Sequence, residues 1–129
     1  MFNQRRPDPA PGEDDVTDTS SPSPAFPPFS ARLRETGATA VLRLSGEVDL
    51  AVEGAMRDAL EALLESDART LVIDLGELDY MDSTGVQRLL AAQVGADERG
   101  RRLEVRLGPA ARRILLLCGV LDRFTVARG

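Results

Sequence analysis

The chain has 129 residues, 43% hydrophobic and 29% charged, the composition of one ordinary globular domain. Its 16 basic residues are all arginine, set against 21 acidic residues for a net charge of −5, and it has no histidine, no lysine and one cysteine, Cys118. These counts exclude Ser-His-Asp or Cys-His catalysis, a histidine- or thiolate-held metal, a P-loop lysine, a Schiff base and an internal disulfide, and they suit nucleic acid poorly.

Seven of the eight prolines fall in the first 28 residues, among acidic and hydroxyl side chains and few apolar ones. Such a segment buries too little surface to offset its ordering entropy, so residues 1–28 are expected to be a disordered tail and 29–129 the folded domain. The tail is read as inert; docking or modification around residues 17–23 is the alternative. Phe29, Ala31 and Leu33 alternate with polar residues as in a strand, residues 35–38 supply a turn, and residues 39–44 form a second strand of a hairpin. Val52, Met56, Ala59, Leu60 and Leu63 then recur at helical spacing, with Asp49 as N-cap. Leu71-Val72-Ile73 reads as a central strand buried on both faces, followed by a connector over residues 76–81.

Asp82-Ser83-Thr84-Gly85 opens a second helix whose apolar face is Val86, Leu89, Leu90 and Val94, stopping near Gly100. Leu103, Val105 and Leu107 alternate as a strand. Gly108-Pro109 starts a third helix that buries Ala110, Ile114 and Leu117 and ends at Gly119, and residues 124–126 make a last short strand. Cys118 lies in the apolar run 114–121 and reads as an inert buried thiol. That run is well short of the ~18 residues of a membrane span, and the N-terminus lacks a signal peptide's apolar stretch, so a cytoplasmic protein is expected. The order ββαβαβαβ describes an α/β fold, a mixed, mostly parallel β-sheet with helices packed mainly on one face.

The junction from Asp74 to Gly85 carries the chemistry. A strand end, a short loop and a helix start place Ser83, or its neighbour, at the N-cap, beside free N–H groups and the positive end of the helix dipole. A phosphate there would be partly stabilised by the same groups. Gly85 would let a partner's backbone approach closely. A nucleophilic serine finds no histidine or lysine to take its proton, so no catalytic residue is expected.

Three stretches, in this order and spacing, resemble the STAS domain of bacterial anti-sigma factor antagonists (anti-anti-sigma factors). They are Leu44-Ser45-Gly46-Glu47-Val48-Asp49; Leu71-Val72-Ile73-Asp74-Leu75 with Tyr80-Met81-Asp82-Ser83-Thr84-Gly85-Val86; and Cys118-Gly119-Val120-Leu121-Asp122-Arg123-Phe124. The resemblance implies a STAS-like fold and a phosphoprotein that regulates transcription by partner switching. In its unphosphorylated form it binds an anti-sigma factor that is also a serine kinase, freeing a sigma factor. Phosphorylation at Ser83 ends binding, and a serine phosphatase restores it. Partner contacts are expected at Asp49, Asp82, Thr84, Gly85 and Arg88. The protein itself is then no enzyme, needs no metal or cofactor (ATP and magnesium belong to the kinase), enters no membrane and is expected to be a monomer. The sequence departs from the family pattern at Gln87, where a small residue is usual, and in stopping where many members add a C-terminal helix. The alternatives are a STAS accessory or scaffold subunit of a membrane transport system or signalling assembly, and a small module that binds an anion or nucleotide at the helix N-terminus.

Overall fold

A computed structural model describes residues 28–127 of the chain. The expected disordered tail therefore lies, but for Pro28, outside the described residues. Strands β1 (Ser30–Thr36) and β2 (Thr39–Val48) form an antiparallel hairpin. Its tight turn needs a left-handed residue, and Gly37 supplies it at φ 61°. Strands β3 (Thr70–Met81), β4 (Arg102–Leu107) and β5 (Thr125–Val126) then add in sequence, each parallel to the last, giving a five-stranded sheet in the order β1-β2-β3-β4-β5. Helices α1 (Glu53–Glu65), α2 (Ser83–Glu98) and α3 (Pro109–Leu117) make the three crossovers. Each crossover steps in the same direction along the sheet. With the usual right-handed connection, all three helices must then land on one face. The mixed, mostly parallel sheet, the order ββαβαβαβ and the one-sided helices match expectation.

The core lies between that face and the helices. Leu42, Leu44 and Val48 of β2, Leu71, Ile73 and Leu75 of β3, and Leu103 and Val105 of β4 pack with Met56, Leu60 and Leu63 of α1, Val86 and Leu89 of α2, and Ala111 and Leu115 of α3. Val72 is also buried, but it stands apart from this cluster, on the face that no described helix covers. The expected burial of all three residues of the Leu71-Val72-Ile73 run is found; only one side of it is a helix-packed core.

Several boundaries differ from the sequence reading. The connector over residues 76–81 is strand: β3 continues to Met81, paired with a β2 that itself runs to Val48. Register shifts between Arg43 and Ser45 and between Gly46 and Glu47 break the alternation, so the buried residues Leu75, Leu78 and Met81 come at spacings of three instead of two. Asp49 caps a short 3₁₀ turn (Leu50–Val52), and α1 starts after it at Glu53. On α2, Val86 and Leu89 are buried but Val94 is exposed, its place on the inner face taken by Ala92 and Ala96. α3 buries Ala111 and Leu115, with Ile114 partly buried, and leaves Leu117 75% exposed. Cys118 is the exposed C-cap of α3, not a buried thiol. Among the described residues no helix is long and apolar enough to cross a membrane.

Candidate functional site

The parallel pairing of β2 with β3 builds the site. Val48 and Met81 are the last registered pair, and the very next residue after each strand is an aspartate. The Asp82 N–H donates to the Val48 carbonyl at 3.1 Å, so the two loops leave the sheet together. Both aspartates do the same local work. Asp49 Oδ1 accepts from the Ala51 N–H at 3.0 Å, and Asp82 Oδ1 accepts from the Thr84 N–H at 2.9 Å.

Of the two candidates for the cap of α2, the fold uses Asp82, whose backbone is extended and whose carbonyl receives the Gly85 and Val86 N–H groups. Ser83 is therefore the first residue inside α2, and it is exposed. Its hydroxyl stands at the positive end of the helix dipole, beside a carboxylate that already satisfies a backbone donor. Thr84 is half-buried. Gly85 is buried, and the close approach that its missing Cβ permits is made from within the chain: a Cβ there would lie 2.5 Å from Met81 Cγ and 3.0 Å from Val48 Cγ1. The first turn of α2 thus rests directly on the last strand pair.

Arg88 lies one turn further along α2. Its Nε and Nη2 donate to Glu53 Oε2 at 3.0 and 2.6 Å, tying α2 to the first residue of α1. The side chains of this pair are 33% and 29% exposed. Gln87, beside it, points to solvent. The structure thus brings Asp49, Asp82, Ser83, Thr84 and Gly85 to one end of the sheet, with Arg88 at the margin and engaged by Glu53. Sequence reasoning did not single out Glu53 or Leu50. The only signal for Glu53 was an acid at a helix start, and its partner is 35 residues away. Leu50 lies outside the apolar stripe of α1 and is 71% exposed next to Asp49, an apolar side chain at the rim of the site.

Residues 31–125 match the family model described as "Mlab, STAS domain". The anti-sigma-F factor antagonist RsfB of Mycobacterium tuberculosis is 30% identical over 96 residues, which cover 74% of this chain and 79% of that protein. An anti-sigma factor antagonist from Mycobacterium paratuberculosis has a similar crystal structure, with a TM-score of 0.69 and 25% identity over 79% of this chain and 87% of that one. The anti-sigma factor antagonist SpoIIAA in its unphosphorylated form shares the fold at a TM-score of 0.62, with 24% identity over 77% of this chain and 89% of the other.

Proposed function

The chain belongs to the STAS domain family of anti-sigma factor antagonists, and from that membership we propose that it binds an anti-sigma factor and so releases a sigma factor, with Ser83 as the phosphorylation switch. The observation that carries this reading is the division of labour at the start of α2. Asp82 does the capping, so Ser83 is an exposed hydroxyl that can be modified without undoing the helix.

The partner supplies the chemistry. It is an anti-sigma factor that doubles as a serine kinase and carries ATP and magnesium into the complex. A bond forms between Ser83 Oγ and the γ-phosphorus, the bond from that phosphorus to the bridging oxygen breaks, ADP leaves, and the hydroxyl proton passes to a base on the kinase. Asp49, Asp82 and Thr84 edge the contact surface, with Leu50 as an apolar anchor.

The phosphate brings about −1.5 to −2 charges at neutral pH. The N-terminus of α2 favours that charge by only about 0.3–1 kcal/mol, enough to keep the domain folded. Across an interface, the same charge with Asp49 and Asp82 beside it must be desolvated against the partner, and repulsion and bulk end binding without refolding. A serine phosphatase then resets the protein. Such a cycle places it in the cytoplasm.

The test is peptide mass spectrometry on the protein taken from its own cells through growth and stress. One phosphate on the tryptic peptide 70–88, assigned to Ser83 by fragmentation and absent in Ser83→Ala, is the expected result. The unphosphorylated form alone should co-purify with the anti-sigma factor. No phosphate under any condition, or phosphate on Thr84 in the unaltered chain, would overturn Ser83 as the switch.

A further inference from the structure

The face of the sheet opposite the helices carries a segregated charge that the net charge of −5 conceals. The strand register sets Arg32, Arg43, Asp74 and Arg106 side by side across β1 to β4, with Arg34, Val41, Val72 and Glu104 in the adjacent row. Arg32, Arg34, Val41, Arg43 and Arg106 line a shallow depression there.

Asp74 is the only carboxylate in the arginine row, and it is already committed. Its Oδ1 accepts from the Gly76 N–H at 2.9 Å. Its Oδ2 is shared between Arg43 Nε at 3.5 Å and Arg106 Nη1 at 3.8 Å. Both separations exceed a good hydrogen bond, so one oxygen serves two guanidinium groups and fills neither fork. Glu104 in the adjacent row is held by Arg102 at 2.6 Å. Exposed Glu77 stands in the next row, beside Arg32 and Arg43, so the four arginines against Asp74 and Glu77 leave a charge of +2 on this surface. Mixed charges also keep an open sheet face and its edge from pairing with other chains. That role does not call for one sign to be gathered in one place.

The same chain holds the complementary charge. Residues 1–27 carry Arg5 and Arg6 against Asp8, Glu13, Asp14, Asp15 and Asp18, a net −3, with four of the carboxylates between positions 13 and 18. The tail joins the domain at β1, two residues before Arg32 on the strand that also bears Arg34. Twelve residues separate Asp18 from Ser30, a reach of about 40 Å when extended. The arginine rows span four strands, only ~15 Å.

We propose that the open face of the sheet is the docking site of the acidic segment 13–18 of the same chain, whose carboxylates complete the guanidinium forks that Asp74 leaves unfilled. Each exposed ion pair is weak alone. Several together, on a tether short enough to hold the segment at millimolar effective concentration, hold the tail on the sheet. Docking is ionic, so it weakens with salt as the screening length falls from ~30 Å at about 0.01 M to ~3 Å at about 1 M.

The test compares amide and arginine Nε–H NMR spectra of the full chain with those of the full chain carrying E13Q, D14N, D15N and D18N. At low salt, resonances of Arg34, Val41, Val72 and Arg106 should differ between the two, while those of α2 coincide; at high salt the difference should vanish. R32Q with R34Q alters only exposed side chains and should release the tail in the same way, seen as shifts at residues 13–18. Coincident sheet resonances at low salt would overturn the proposal. So would differences that survive high salt, or that grow with protein concentration, which would assign the acidic segment to a second copy.

Discussion

Asp82 and Ser83 are both good capping residues, and a sequence holding them side by side leaves either free to take the role. The choice is made by the strand pair beneath them. Registering Val48 with Met81 and closing Asp82 N–H onto the Val48 carbonyl leaves Asp82 extended, the conformation an N-cap needs, and pushes Ser83 into the helix. Asp82→Ala should therefore cost about 1 kcal/mol of folding stability. Ser83→Ala should stay within about 0.5 kcal/mol, as for a surface change that removes no cap. Urea unfolding of both variants checks this, and the reverse order would return the cap to Ser83. The Asp-Ser-Thr-Gly turn at a helix start was thus legible in the sequence, whereas the division of roles inside it depends on a long-range pairing. Gly85 follows the same logic. The sequence reading assigned its missing Cβ to the approach of a partner's backbone, whereas the fold fills that space with Met81 and Val48 of the chain itself.

At the scale of elements, what was legible was whatever kept one period throughout. The alternation in β4 and the helical spacing of Met56, Leu60 and Leu63 gave correct elements with correct buried faces. β3 lost its second half in the sequence reading because its bulges against β2 replace the period of two. α3 was recognised but turned by one residue, because the run Ile114-Leu115-Leu116-Leu117 is apolar all round and periodicity cannot orient it. At its entrance a Cβ on Gly108 would lie 2.5 Å from the Gly76 carbonyl oxygen, so backbone meets backbone where the helix leaves the sheet. The two leucines should separate cleanly in thermal or urea unfolding. Leu115 is fully buried, and Leu115→Ala should cost about 2–5 kcal/mol. Leu117→Ala should cost no more than about 0.5 kcal/mol. Equal losses would mean that Leu117 is also packed and that the inner face of α3 is drawn wrongly.

At the scale of the whole molecule, the described residues form two layers: a helix layer, and a sheet with one face packed by helices and one face that no described helix covers. The helix side was legible because consecutive parallel strands and right-handed crossovers leave no other place for the helices. The open side was not legible as an arginine surface, because Arg32, Arg34, Arg43 and Arg106 are scattered in sequence and gather only through strand register. The central strand offers a direct measure of this asymmetry, since Val72 and Ile73 are adjacent, both buried, and face opposite layers. Ile73→Ala removes methyl groups from a close-packed cluster that cannot collapse into the space, and should cost about 2–5 kcal/mol. Val72 stands in the register row of Arg34, Val41 and Glu104, on the face that no described helix covers. With no described helix above it to hold a cavity open, Val72→Ala should lose mainly the transfer term for two methyl groups, about 1–2 kcal/mol. Urea unfolding of the two variants gives the comparison. A Val72→Ala loss as large as that of Ile73→Ala would mean that the second face also carries a rigid packed layer, because only a neighbour unable to move turns two missing methyls into a cavity.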